Sequence, residues 1–314
     1  MKNKELTILM PAFNEEKGIN HALEVISSIM KNSKISYEFL IVDDGSYDST
    51  WEVLKSCSKK YPLKAFRLSR NFGKEAALRA GIEQIVTDLA VILDSDLQHP
   101  PVIIPKMMEL MKKTNADIID GIRDYRGKES FFNKLVAKIF YRIFSSLTKI
   151  DLKKASDFKL MNRKAMNAYL KMEEKALFFR GMSAWIGFKR EEFHFQTDDR
   201  ISGTTKWSKK ALFILSKNAI VSFSSTLLHF PLLCGFLFII LSAIITAESV
   251  YNKFLGHSAQ GIPTLLAMLS FTGGLILVAL SIIGEYLAKI YDEVKKRPTY
   301  LISENIIYKK SGKR

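Results

Sequence analysis

Three short stretches hold the residues best suited to chemistry. Asp94-Ser95-Asp96 runs into Leu97-Gln98-His99, Asp43-Asp44 into Gly45-Ser46, and Pro11-Ala12-Phe13-Asn14 into Glu15-Glu16. Each follows an apolar run (LAVIL, FLIV and LTILM), so each stands where a buried strand would end. Carboxylates in such places suit hydroxyl groups and a hard cation better than bare phosphate. Asp94 and Asp96 alternate along an extended chain and so project from one side. One can hold a divalent metal while the other holds a ribose hydroxyl. On a surface loop a lone DxD is ordinarily a pair of solvated turn residues. Directly behind a strand, with DDGS at a second strand end, it points to a site. No GxGxxG and no GxxxxGKS/T occurs, so neither a classical dinucleotide site nor a P-loop is supported. His99 has no second histidine beside it and reads as a packed turn residue. Cys57 and Cys234 are too few for a disulfide framework or a four-thiolate zinc site.

The elements that must position these stretches alternate in type. Strands are expected over 6–10, 39–42, 64–68, 89–93 and 117–119, and helices over 15–30, 49–60, 74–85 and 101–113. Continuous apolar strands between amphipathic helices predict an α/β fold, a mostly parallel sheet covered on both faces. Ligands in such sheets bind at the carboxyl ends of strands.

Charge divides the 314 residues unevenly. Residues 1–125 hold 17 basic and 18 acidic side chains, whereas 126–225 hold 21 and 9, so most of the +15 belongs to the middle. Residues 226–246 contain no acid, lysine or arginine, and 262–283 contain no charge. Each matches the roughly 20 residues that cross a bilayer as a helix. That accounts for a mean hydropathy of +0.03, high for a soluble chain and low for a polytopic one. Basic residues flank both segments on the outside: Lys206, Lys209, Lys210 and Lys217 before, Lys289, Lys295, Lys296 and Arg297 after. The positive-inside rule then places both termini in the cytoplasm and the 247–261 loop outside. Within 131–147, Lys134, Lys138 and Arg142 form a basic stripe beside large aromatics, which suits an anionic membrane surface as well as a core helix. Residues 206–223 form a second such segment. With two spanning helices, nucleic acid is not the expected partner of this basic charge.

PAFNE, VDDGSYDST, SRNFGKEAALRAGI, LDSDLQHPP, SDFKLMNR, FFRG and RISGTTKW occur in the order found in family 2 glycosyltransferases of the polyprenyl-phosphate type. The chain resembles bactoprenol (undecaprenyl-phosphate) glycosyltransferases, and is similar also to dolichyl-phosphate mannose synthases, from about residue 5 to 300. The resemblance implies a GT-A fold and an inverting transfer from a nucleotide sugar to a polyprenyl phosphate. It places Pro11, Asn14, Glu15, Asp43, Asp44 and Lys74 with the nucleotide sugar. Asp94, Asp96 and Gln98 fall around sugar, diphosphate and a Mg²⁺ or Mn²⁺ ion. Arg123 and Arg200 join Asp96 and Asp157 as catalytic residues, and Arg126, Lys159, Arg180 and Lys206 are assigned to the acceptor phosphate. Asp157 is read as a positioning carboxylate, with proton removal as its alternative. The chain departs from many relatives in having Ser156 before Asp157-Phe158 and Lys159 where arginine is common. Lysine lacks the bidentate fork, so a phosphate contact there would be a point charge. QxxRW, the mark of processive polysaccharide synthases, is absent.

The expected domain plan is a catalytic domain over 1–205 with an interfacial helix near 131–147. A juxtamembrane helix over 206–225, two membrane helices over 226–283 and a basic cytoplasmic tail over 284–314 follow. UDP-glucose is the favoured donor. GDP-mannose, an N-acetylhexosamine or aminoarabinose donor, another lipid acceptor, and a non-catalytic membrane scaffold are the alternatives. Self-association stays open.

Overall fold

The structure, a computed structural model, describes residues 4–123, 156–175, 177–196, 230–256 and 261–308. The chain divides into two units, Met1–Lys206 with Pro298–Arg314, and Trp207–Arg297.

The first unit is built on an eight-stranded sheet. Its strands are β1 (Leu6–Ala12), β2 (Tyr37–Asp43), β3 (Leu63–Leu68), β4 (Leu89–Ile92), β5 (Ile118–Arg123), β6 (Lys159–Asn162), β7 (Arg190–Phe195) and β8 (Ile302–Ile307). They lie in the order β7-β5-β6-β4-β1-β2-β3-β8. β1 pairs in parallel with β2 and β4, β2 with β3, and β5 with β7, while β6 and β8 run antiparallel to their neighbours. All seven residues of β1 and of β2 are buried, as central strands covered on both faces must be. The cover comes from α1 (Ile19–Asn32), α2 (Thr50–Cys57), α3 (Lys74–Gln84) and α4 (Ile104–Thr114). α1 buries Ile19, Ala22, Leu23, Ile26 and Met30, the three-and-four spacing of one helical face. α3 packs tightly against β1. A Cβ on Gly81 would sit 2.2 Å from Leu9 Cδ1, so only a glycine allows this approach.

The chain builds β1, β2 and β3 outward in one direction and then returns to lay β4 on the other side of β1. The crevice where the strand order reverses lies past the carboxyl ends of β1 and β4, the place where such sheets bind ligands. Pro11 sits in β1 opposite Val42, past the last residue that pairs with β4, where its missing N–H breaks no bond on that side.

The 284–314 tail departs from expectation. β8 adds to the sheet edge against β3, and Glu304 accepts from Trp51 Nε1 at 2.9 Å and Arg67 Nη1 at 3.1 Å. Tyr300 donates its hydroxyl to Glu83. The tail strand therefore belongs to the first unit. It went unread because most of its residues face solvent, leaving no run of apolar positions to mark a strand. Beyond β6 the unit also contains α5 (Arg163–Leu170) and α6 (Phe179–Trp185). Asn162 caps α5 by accepting the Ala165 N–H at 2.9 Å.

The second unit contributes α7 (Phe230–Phe254) and α8 (Ile262–Val294). Leu233–Asn252 and Phe271–Val294 are long and apolar enough to cross a membrane, and none of either stretch is buried. Phe236, Ile239, Leu269 and Leu277 are each more than 60% exposed, an apolar display that water does not favour. Phe238 and Phe271 stack at 5.2 Å between the two helices. The interfacial segment near 131–147 and the helix over 206–223 lie outside the described residues.

Candidate active site

The loops after β1 and β2 are tied together by hydrogen bonds. Asn14, at φ 55°, donates its N–H to Ser46 Oγ at 2.9 Å, and its Oδ1 accepts from Tyr47 N–H at 3.0 Å. Glu15 donates its N–H to Thr50 Oγ1 at 2.8 Å. Asp43 Oδ1 accepts from both the amide and the hydroxyl of Ser46. Its Oδ2 is buried without a hydrogen-bond partner among the described residues, 3.5 Å from Arg67 Nε. Burial raises the Asp43 pKa against the pull of Ser46 and Arg67. Asp44, expected beside the nucleotide, holds a third loop: its two oxygens accept the N–H groups of Phe72 and Gly73 at 2.8 and 2.9 Å. Gly45 lets that loop come close. At φ +68°, its Cβ would lie 2.4 Å from the Arg70 carbonyl carbon.

The loop after β4 supplies the DxD residues, which take different parts. Asp94 Oδ1 lies 2.6 Å from Lys74 Nζ. Asp96 is exposed, and its Oδ1 accepts the Gln98 N–H at 3.0 Å. Leu97 between them has φ 55°, an uncommon conformation for a large aliphatic residue and one that turns the chain sharply at this point. His99 packs its ring 5.2 Å from Phe158 and 6.1 Å from Phe195. Burial lowers its pKa although Asp94 and Asp96 pull the other way.

Asp157 is the centre of the arrangement. It accepts two hydrogen bonds from Arg180, Nε at 2.7 Å and Nη2 at 2.9 Å, and one from Lys74 Nζ at 3.0 Å. Burial alone would raise its pKa, but Arg180 and Lys74 outweigh that and hold it well below the usual carboxylate range. Lys74 has the reciprocal shift: burial opposes its charge, and Asp157 and Asp94 overcome the penalty and raise its pKa. Lys74, Asp94, Asp157 and Arg180, distant in sequence, thus form one chain of ion pairs. Glu75, beside Lys74, accepts the Phe179 N–H at 2.6 Å. Sequence reasoning passed over Glu75, because only burial against α6 sets it apart from an ordinary surface glutamate. Arg123 ends β5, half-buried. Arg126, Arg200 and Lys206 lie outside the described residues.

Lys159 requires correction. Assigned to the acceptor phosphate, it is fully buried in β6 and paired with Asp120, which also accepts from Arg190 at 2.6 and 2.9 Å. An ammonium taken wholly out of water needs such a partner, and its charge is already spent on Asp120. Burial lowers its pKa despite Asp120.

A divalent cation fits the donor set in one way. Among the described residues no three His, Cys, Asp or Glu side chains gather into a ready-made cage. Mg²⁺ commonly uses one or two carboxylates and completes its shell with substrate phosphates and water. An exposed Asp96 beside Asp94 at a strand end meets that need.

Residues 7–172 match the model of Glycosyl transferase family 2. The chain belongs to that family. This glycosyltransferase is 34% identical over 303 residues to an uncharacterized glycosyltransferase of Synechocystis, covering 96% of this chain and 95% of that one. It is 34% identical to the uncharacterized glycosyltransferase YkcC of Bacillus subtilis, over 96% and 94% of the two chains. A prophage bactoprenol glucosyl transferase homolog of Escherichia coli is 29% identical over 95% of this chain and 98% of that one. Among solved structures, a glucosyl-3-phosphoglycerate synthase of Mycobacterium tuberculosis aligns at 18% identity and a TM-score of 0.48, over 70% and 79% of the chains. The family match, together with the mostly parallel sheet expected of a GT-A fold, identifies the catalytic unit of this glycosyltransferase.

Proposed function

We propose that the protein transfers a hexose, by inversion, from a UDP-sugar to undecaprenyl phosphate or a related polyprenyl phosphate. The likeness to a bactoprenol glucosyl transferase over nearly the whole of both chains supports this acceptor and favours glucose. The observation that carries the chemistry is the state of Asp157. Gripped by Arg180 and Lys74, it is a poor proton acceptor, which suits an acceptor needing no deprotonation. A phosphate monoester has a second pKa of about 6 and is mostly dianionic at neutral pH.

An acceptor phosphate oxygen attacks the anomeric carbon from the face opposite the diphosphate. The carbon–oxygen bond to the diphosphate breaks, and its electron pair leaves with the nucleoside diphosphate. Lys74 and Arg180 stay cationic and orient the two anionic reactants, with Arg123, Arg126, Arg200 and Lys206 as further phosphate contacts. Asn14, Glu15 and Asp43 line the nucleotide end. Asp96, with Asp94 and Gln98, would hold Mg²⁺ or Mn²⁺, which when bound neutralises the leaving diphosphate.

Full-length protein incubated with undecaprenyl phosphate and a panel of labelled nucleotide sugars is expected to give a lipid-extractable product from UDP-glucose. Product from another donor would change the sugar alone. Product from none, with nucleotide binding intact, would favour a membrane scaffold.

The two apolar helices support a site of action at the cytoplasmic membrane, and the basic residues that flank them on the outside support both termini on the cytoplasmic side. A cysteine introduced by Ser258→Cys should react with an impermeant reagent on intact cells, and one introduced by Ser311→Cys should not. The reverse pattern would overturn this topology and with it the use of a cytoplasmic donor.

A further inference from the structure

The first turn of α3 sends two neighbouring side chains to different partners. Lys74 reaches Asp94 and Asp157, while Glu75 accepts the backbone N–H of Phe179, the first residue of α6. The Phe179 ring is fully buried, edge-to-face with Tyr169 at 5.5 Å and 5.8 Å from Lys159 Nζ. Residue 179 is therefore pinned at both backbone and side chain. The next residue, Arg180, grips Asp157 with two N–H groups. We propose that Glu75 is a positioning residue, its ionised carboxylate anchoring the start of α6 so that Arg180 is set on Asp157. The inference rests on the transfer reading above, in which Arg180 meets a phosphate.

The groups facing Glu75 are Asp157, Lys74 and Arg180, together with the Tyr169 phenol. Burial, with a smaller push from Asp157, raises the Glu75 pKa to about 7 against the Phe179 amide, Lys74 and Arg180. A hydrogen bond to a charged acceptor is roughly twice as strong as one to a neutral acceptor. Protonation near neutrality thus weakens the anchor without removing it. Glu75→Gln keeps the shape and the acceptor oxygen but fixes the uncharged state; Glu75→Ala removes the anchor.

With full-length protein, the ratio of wild-type to Glu75→Gln turnover should be near one below neutrality and rise to about five-fold above it. KM for the nucleotide sugar should be unchanged. Titration of the acceptor phosphate affects both proteins alike and cancels in the ratio. Hydrogen exchange at the α6 amides, which needs no turnover, should be faster in Glu75→Ala than in wild type, with Glu75→Gln between them. Lipid product combined with a pH-independent ratio, or with unchanged exchange in Glu75→Ala, would overturn the anchor and leave the transfer reading standing. Faster exchange in Glu75→Ala with no lipid product from any donor would refute the transfer reading and leave the anchor in place.

Discussion

Asp157→Asn is expected to lower turnover by about 10²–10³-fold, and raising the pH should not restore it. The native carboxylate is acceptor-only and takes three hydrogen bonds from two cations. Asparagine keeps the outline but turns an NH₂ group toward Arg180 or Lys74, donor against donor, so the clamp opens. Nucleotide affinity should change little, because the lost interaction orients the reacting groups rather than the base or ribose. A general base works best with a pKa near the working pH, and Asp157 is held far below it. Its pH profile should therefore run parallel to that of wild type. Full recovery at high pH would show instead that Asp157 removes a proton. The same depressed pKa links Asp157 to stability. Its contribution is complete above the unfolded value of about 3.9 and is lost as pH falls from there through the folded value.

Asp96→Asn should be at least as damaging, with turnover falling by about 10³-fold if the cation neutralises the leaving diphosphate. Asp96 differs from Asp94 in being exposed and bound to no cation among the described residues, whereas Asp94 lies on Lys74. Removing its charge should abolish the metal-dependent gain in UDP affinity and leave metal-free UDP binding intact, which titration calorimetry with and without Mn²⁺ would read. Near-normal turnover in Asp96→Asn, or in chelator, would argue against a metal mechanism.

Much of the frame was legible because its signals are local. β1, β2 and β4 announce themselves as short, mainly apolar runs, and all three are found within two residues of the expected ends. DSD and DDGS could be assigned to strand ends because polar residues follow those runs at once. β6 and β7 were harder to read. Lys159 in KLMN looks like a cation in a polar stretch, and nothing nearby in sequence says that Asp120 and Arg190 will surround it. β8 was hidden for a different reason, since an exposed edge strand needs no apolar face.

What the sequence determined alone are properties set by short-range pattern: the α/β alternation, the carboxylates at strand ends and two helices apolar enough for a membrane. Partnership was decided only by the tertiary structure. Lys74 and Arg180 were assigned to opposite substrates, yet both end on Asp157, because α3 and α6 meet beside β6. The same meeting buries Glu75 and gives a carboxyl of no apparent interest its raised pKa. Which charge pairs with which depends on distance and on exclusion of water, and both arise only when segments far apart in the chain are packed together.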